Sequence, residues 1–203
     1  YLKEWFGKIG SYLWMYANGL ENSPVGQTEP PIKSVGNSSV ISHDVTSPEE
    51  VKRRIFMLAE SVGPRMREHG FIAKTIHVWI CDNDMSYVTR QCAMPQPSNL
   101  DYDLATAAFG LFQKTYSWKK PIRKIGISGT NLMFSKTPYQ ITFDQDAHKH
   151  EKRINLESSM DALNKRWPHC VQRAITKFDG SADERAIKEE QRKFTPIGWL
   201  KGG

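Results

Sequence analysis

The chain has few cysteines and no closely spaced pair of them. Cys81, Cys92 and Cys170 form an odd set without C-x-x-C spacing. This pattern argues against a disulfide framework or a zinc ribbon, and it is typical of small buried or half-buried thiols in a reducing compartment. We therefore expect neither a disulfide scaffold nor a structural zinc site.

Long apolar runs are also missing. No stretch approaches the ~20 apolar residues that a membrane-crossing helix needs. Residues 1–20 carry charges and tryptophans where a secretory signal has its apolar core. These absences predict a cytoplasmic protein with no membrane partner. The first residue is not Met and lies in an apparent helix, so we expect the chain to be a fragment of something longer.

Acidic residues are in the minority. Twenty-eight Lys and Arg against 22 Asp and Glu give a formal net charge of +6, which suits a polyanionic partner without requiring one. Residues 1–32 contain two Lys against three Glu. The positive excess therefore lies beyond residue 32.

Residues 1–32 predict a helix and then a linker. Apolar side chains recur at spacings of three and four over 1–20, which is typical of an amphipathic helix. Residues 21–33 are rich in proline and have no periodicity, so a domain boundary falls there. The apolar stripe of the helix comprises Leu2, Phe6, Ile9, Leu13 and Tyr16.

Residues 33–132 contain a regular succession of strands and helices. The order is β-α-β-β-α-β, which is the ferredoxin-like split βαβ pattern of the α+β class. It predicts a four-stranded sheet with both helices on one face, so the other face should be free. The predicted strands are 33–42, 71–80, 85–94 and 121–132, and the helices begin at Pro48 and Asp101.

Strand alternation assigns small and polar side chains to the free face. Hydroxyls, amides and glycines let donors approach phosphate oxygens, and Lys and Arg at the rim neutralise charge. We interpret the face as a surface for nucleic-acid phosphates, and an ordinary solvated face is the alternative. The set comprises Ser34, Gly36, Ser38, Thr75, His77, Trp79, Thr89, Gln91, Lys124, Gly126, Ser128 and Thr130.

Arg90 does not follow this pattern. It shares parity with Val88, so strict alternation turns it toward the core unless a bulge re-aims it. RNA-recognition domains have the same element order, and their third strand carries stacking aromatics. Here that strand offers only Tyr87, although Trp79 and His77 also lie on the face. An RNA-recognition-like module for single strands is thus the alternative function.

Three motifs suggest catalysis but have simpler interpretations. Asp82 and Asp84 have the D-x-D spacing of some metal-dependent enzymes, yet their place between two strands favours a hairpin turn. His148 and His150 do not face each other on a helix. The stretch "GKIGS" lacks the spacing of a phosphate-binding loop. We predict no catalysis by this chain alone and no cofactor.

Four segments, in order, resemble one protein family. "KSVGNSSVI", "LAESVGPRMREHGFIAKTIHVWI", "SYVTRQCAMPQP" and "PIRKIGISGTNL" resemble the little finger, or polymerase-associated domain, of bacterial Y-family translesion DNA polymerases of the polymerase IV type. "FGKIGSYLWMYANGLENSPV" is similar to the end of that family's thumb. The resemblance implies a thumb remnant and linker at 1–32, a little finger at 33–132, and a C-terminal peptide, helix and loose tail at 133–203.

The resemblance also implies a partner. The free face would dock along the major groove of primer–template DNA and contact backbone phosphates. Cys92 and Ala93 stand where the family often has a second basic residue and a Thr, which would weaken contact there. The resemblance also favours a bulged or edge position for Arg90 over a buried one. The family's Mg²⁺ is held by palm carboxylates that we do not find here, so we expect the longer parent to be the DNA polymerase. The DNA-contacting residues expected from the resemblance and the alternation together are Lys33, Ser34, Gly36, Ser38, Thr75, Thr89, Arg90, Gln91, Lys124 and Ser128.

The segment "YQITF" resembles the Q-L-x-L-F peptide with which bacterial members bind the replicative sliding clamp. Gln140, Ile141 and Phe143 would be its anchors, in a peptide-in-pocket mode. One Leu of the motif is missing, and a plain edge strand is the alternative. A helix over 146–167 with a thin apolar seam should follow the peptide.

Overall fold

The element order matches the sequence prediction. The computed structural model describes residues 1–21, 31–138 and 147–176, so Gln140, Ile141 and Phe143 and the predicted tail lie outside the described residues. Contacts divide the chain into two units, Tyr1–Pro31 and Ile32–Gly203. The elements are α1 (Leu2–Ala17), β1 (Ser34–Val45), α2 (Pro48–Glu68), β2 (Phe71–Asp82), β3 (Tyr87–Ser98), α3 (Asp101–Thr115), β4 (Ile122–Phe134), α4 (Ala147–Arg166) and the 3₁₀ turn η1 (Ala174–Thr176).

The first unit contains the predicted N-terminal helix, α1. Gly7 has a φ of 58°, which interrupts the helical backbone. The aromatic side chains of Trp5, Phe6 and Trp14 are all more than half exposed. The five residues of the apolar stripe are likewise 38–66% exposed, so the stripe is not buried.

The second unit is built on one four-stranded sheet with the order β1-β4-β2-β3, and every neighbouring pair is antiparallel. The last strand, β4, lies between β1 and β2, while β3 forms the second edge. Helices α2 and α3 both pack against the sheet and against each other. The predicted α+β fold with helices on one face is confirmed.

The core lies between this sheet and the two helices. Ser47 accepts a hydrogen bond from the backbone N–H of Glu50, and Pro48 begins α2, as predicted. The apolar residues that recur at spacings of three and four along α2 are buried, because this spacing puts them on one side of the helix. The central buried residues are Val51, Ile55, Leu58, Ala59, Val62 and Met66 of α2, Leu104, Ala108 and Phe112 of α3, Ile76, Val78 and Ile80 of β2, and Ile125 and Ile127 of β4.

Helix α4 forms as predicted, but its apolar seam does not pack on the domain. Leu156, Leu163 and Trp167 are 56, 41 and 50% exposed, whereas the carboxylate residue Glu157 is buried. A cavity of about 630 Å³ lies along α2 and α4, lined in part by Met57 and Met160. Charged side chains therefore hold α4, and apolar packing contributes little.

These side chains form a buried charge group that we name the Arg67 cluster. Arg67 donates from Nε and Nη2 to both oxygens of Asp161 at 2.6 and 2.9 Å, and from Nη1 to Asp101 Oδ1 at 3.0 Å. A Cβ atom at Gly63 would lie 1.9 Å from Asp101 Oδ1, so only glycine lets the two helices approach this closely. The cluster comprises Glu60 and Arg67 of α2, Asp101 of α3, Glu157 and Asp161 of α4, and Arg173.

The Arg67 cluster has more carboxylates than guanidinium groups. Burial raises the pKa of Glu60 to about 7, although its hydrogen bond from Thr176 opposes the shift. Burial, and then the charge of Asp101, raises the pKa of Glu157 to about 7 against the opposing pull of Arg173. Both carboxyl groups therefore bind protons more tightly in the folded chain than in the unfolded one.

The shifted groups predict a pH dependence of stability. A raised folded-state pKa contributes stability that is full below about pH 4.5 and is lost as the pH rises through about 7. Glu157→Gln replaces this carboxyl group by an amide that does not titrate. The difference in thermal midpoint, variant minus native, should therefore increase by several degrees from pH 5 to pH 8. Glu151→Gln, at an exposed site on the same helix, is the control and should not alter the pH profile. Parallel profiles for all three proteins would contradict the prediction.

Two smaller observations concern the cysteines and the helices. Cys81 is buried and Cys92 is half-buried, as predicted, but Cys170 is exposed because it follows the end of α4 at the surface. Among the helices in the described ranges, none combines the length and apolar character needed to cross a bilayer.

Candidate nucleic-acid interface

The free face of the sheet is made of four cross-strand rows. The register pairs Gly36 with Ser128, Ser128 with His77, and His77 with Gln91. Residues directly opposite each other in a sheet point to the same side, so each row crosses all four strands. The rows are Ser34-Thr130-Thr75-Ala93, Gly36-Ser128-His77-Gln91, Ser38-Gly126-Trp79-Thr89 and Val40-Lys124-Cys81-Tyr87. We name this surface the open face.

The structure brings together the set of residues that alternation assigned to one side. Eleven of the twelve lie in the first three rows, and Lys124 lies in the fourth. Lys33 is exposed and immediately precedes β1. No position in the four rows is acidic, and Lys124 contributes a positive charge. The open face is therefore electrostatically suited to an anion.

Arg90 lies on the opposite side from the open face. It pairs with Val78, a core residue, and the β2–β3 register runs unbroken from Thr75 to Cys81. No bulge re-aims Arg90. Its side chain is nevertheless exposed, because β3 is an edge strand, and it donates to the carbonyl oxygen of Thr89. Arg90 is thus a residue of the sheet edge, where it can reach a ligand that extends past β3.

Cys92 and Ala93, the two positions that depart from the family pattern, lie on opposite sides of the sheet. Cys92 pairs with Ile76 and is half-buried on the helix side, whereas Ala93 pairs with Thr75 and is exposed on the open face. The methyl side chain of Ala93 offers no hydrogen bond, so the β3 end of the first row has no side-chain donor for a ligand.

Trp79, in the third row, lies close to residues of both the third and the fourth row of the open face. A Cβ atom at Gly126 would lie 2.3 Å from Cε2 of Trp79, so the indole covers this glycine. The Nζ atom of Lys124 lies 5.0 Å from the Trp79 ring centroid, which is a cation–π distance. The ring of Tyr87 lies 6.3 Å from that of Trp79 with 43° between their planes. The set of twelve residues omits Tyr87, although its parity with Thr89 and Gln91 places it on this face.

The middle of the open face has a light hydrogen-bond network. His77 Nδ1 and Ser128 Oγ lie 3.3 Å apart, and Thr130 Oγ1 donates to the carbonyl oxygen of Thr75 at 3.5 Å. These contacts are long, so the hydroxyl groups keep capacity for an external acceptor. The open face can therefore donate hydrogen bonds to an anion from short side chains.

The D-x-D motif is a turn. Asp82 Oδ1 accepts from the backbone N–H groups of Asp84 and Ser86 at 3.0 and 2.9 Å, which closes the β2–β3 hairpin. Lys120 lies 2.6 Å from Asp84 Oδ2. Asp82 is therefore engaged in the turn and Asp84 in an ion pair, as the hairpin interpretation predicts.

Comparisons with known proteins cover most of the chain. The family model described as the impB/mucB/samB family C-terminal domain matches residues 32–143. The chain is 34% identical over 178 residues to DNA polymerase IV of Acetivibrio thermocellus, which covers 86% of the chain and 45% of the relative. It is 32% identical over 171 residues to DNA polymerase IV 1 of Bacillus subtilis, covering 82% of the chain and 40% of the relative. The chain thus spans less than half the length of these curated relatives.

Proposed function

Because the chain belongs to the impB/mucB/samB family and carries its C-terminal domain, the little-finger region of a Y-family DNA polymerase, we propose that it binds primer–template DNA through backbone phosphates. The observation that supports this most directly is the open face, whose four rows contain no acidic side chain. Small hydroxyl-bearing residues allow a duplex to come close, and contacts to phosphate fix position without reading sequence.

The strand order favours a duplex over an isolated anion. The two edge strands, β1 and β3, are separated by three strand spacings of about 4.8 Å, or about 14 Å, which is similar to the ~12 Å width of a B-DNA major groove. Edge strands have one row of backbone N–H groups that the sheet does not pair. The contacts that the resemblance assigns to Ser34, Gly36, Ser38, Thr89 and Gln91 all fall on these edges, where backbone donors can reach the two flanking phosphate chains.

Fluorescence anisotropy tests the proposal. A labelled duplex and the matching single strand are titrated with the chain at several salt concentrations. We expect affinity for the duplex that does not depend on base sequence and falls steeply with salt, because binding releases condensed counterions. If the chain binds single-stranded RNA or DNA and does not bind the duplex, the result would instead favour the RNA-recognition-like alternative. Absence of binding at low salt would overturn the proposal for the isolated chain.

The basic residues at the rim give a second test. Arg90→Ala and Lys124→Ala should each weaken binding to all duplex sequences about equally and reduce the salt slope by roughly one. Lys114→Ala removes the same charge from the exposed surface of α3 on the helix side, so it should leave the slope unchanged. Loss for some base sequences and not others would contradict phosphate contact at either residue.

The parent protein is proposed to be a DNA-directed DNA polymerase that acts in DNA repair and damage tolerance in the cytoplasm. Nucleotidyl transfer with Mg²⁺ would take place on a palm domain outside this chain. The role of this region would be to hold the duplex near an active site that accepts damaged templates.

A sliding clamp is a second proposed partner. The support is the resemblance of Gln140, Ile141 and Phe143 to a clamp-binding peptide, with one Leu missing. Binding of a peptide containing residues 138–144 to purified bacterial clamp, compared with its Gln140→Ala and Phe143→Ala variants, tests it. A peptide that binds no better than these variants would exclude the clamp as a partner of this segment.

A further inference from the structure

The end of the open face nearest the β2–β3 hairpin differs from the rest. The first two rows offer mostly small polar groups, but Trp79 of the third row and Tyr87 of the fourth place two aromatic rings there, beside Lys124. Tyr87 is 61% exposed and Trp79 is half-buried. We name Trp79, Tyr87 and Lys124 the aromatic corner.

The indole of Trp79 is held flat by the strand beneath it. Gly126 has no side chain, and the ring occupies the space that a Cβ atom there would take. One face of the ring therefore rests on β4 while the other is directed away from the sheet. The 43° angle between Trp79 and Tyr87 shows that the two rings are tilted and do not stack on each other.

This geometry suits the face of a nucleobase. In a duplex the base faces are covered by their neighbours, and only edges, sugars and phosphates are accessible in the grooves. An unpaired base offers a free π surface, and stacking of bases on aromatic side chains is tolerant of sequence. The Nζ atom of Lys124 lies over the indole, 5.0 Å from its centroid, so a stacked base would displace this ammonium group, which would then be close enough to pair with the phosphate of the same nucleotide.

We propose that the aromatic corner binds an unpaired nucleotide of the DNA strand that continues beyond the duplex held by the open face. This inference rests on the proposed function in assuming that the open face binds DNA. It adds a stacking subsite to a surface that otherwise contacts phosphates, and it makes the chain sensitive to the junction between duplex and single strand.

Three DNA probes test the proposal: a short blunt duplex, the same duplex with a single-stranded extension, and that extension built from abasic sites. The native chain should bind the extended probe at least about fivefold more tightly than the blunt duplex, because stacking of one base contributes that much or more. The abasic extension keeps the phosphates but removes the bases, so it should bind like the blunt duplex. Equal affinity for the base-containing and abasic extensions overturns the stacking site.

The matched variants are Trp79→Leu and Tyr102→Leu. Leucine at 79 still covers Gly126, so the sheet should fold, while the π surface is lost; its thermal midpoint verifies this. Trp79→Leu should abolish the preference for the extension, so that this variant binds the extended and the blunt probe with affinities equal to within about twofold. Tyr102, 55% exposed on α3, is the control and should retain the preference.

The outcomes separate the two proposals. Blunt-duplex binding with no preference for the extension, or a preference that survives Trp79→Leu, overturns the aromatic corner and leaves the duplex function standing. Trp79-dependent binding of the extended probe without binding of the blunt duplex supports the corner and overturns the duplex function. Failure of every probe to bind overturns both.

Discussion

Replacing Ser128 with glutamate should reduce the affinity for duplex DNA on the order of 100-fold. Ser128 lies in the second row of the open face, between Gly36 and His77, so a carboxylate there would meet the phosphates at close range. Juxtaposed like charges cost several kcal/mol, and about 1.4 kcal/mol corresponds to a tenfold change in affinity. Anisotropy titration with a labelled duplex at fixed low salt measures the loss.

Two further variants isolate the charge. Ser128→Gln has nearly the shape of the glutamate variant but no charge, so it should lose less than about fivefold. Ser159→Glu adds the same charge on the exposed surface of α4 and should bind like the native chain. Equal losses for the Glu and Gln variants at 128 would mean that bulk, not charge, is excluded, and would contradict a phosphate-facing surface.

Arg67→Ala should destabilise the second unit by about 3–5 kcal/mol, because removing one partner of a buried ion pair leaves uncompensated charge. The guanidinium lies within 4 Å of Asp101, Glu157 and Asp161, so its loss affects three carboxylates at once. At roughly 2–4 °C per kcal/mol for a domain of this size, the thermal midpoint should fall by about 10 °C. Differential scanning calorimetry at pH 8 measures the change.

The control for Arg67→Ala is Lys165→Ala. Lys165 pairs with Glu68 at 3.4 Å, but the two side chains are 81 and 60% exposed, and such surface pairs contribute at most about 1 kcal/mol. A fall no larger than that of Lys165→Ala would show that the Arg67 cluster does not hold α4. The deficit of Arg67→Ala should also shrink at pH 5, where the carboxyl groups with raised pKa are protonated.

Alternation predicted the open face well, because the strand period of two is a property of the backbone. The rows containing Ser34, Gly36 and Ser38 needed only this period and the positions of the helices. Arg90 was harder to assign, since parity placed it on the core side and only the strand order shows that β3 is an edge. Edge position depends on contacts between distant segments, which the local pattern does not contain.

The Arg67 cluster was missed because hydrophobic periodicity was the signal used for α4. The apolar residues of this helix are exposed, and the side that docks is charged. A pattern was nevertheless present: Arg153, Glu157 and Asp161 recur every four residues, which puts them on one side of the helix. Their partners, Asp103 for Arg153 and Arg67 for the two carboxylates, lie too far away in sequence for spacing to identify them. The contact of Trp79 with Gly126 likewise joins two strands that are distant in sequence, so the local pattern does not contain it.

The position of β4 has a consequence for how the domain is made. This strand joins β1 to the β2–β3 hairpin, and the register contains no direct pairing between β1 and β2. During translation the first strand and the hairpin leave the ribosome well before the strand that connects them. The sheet cannot close until residue 134 has emerged, so a nascent chain halted before that point would expose two unpaired strand edges to aggregation or chaperone capture.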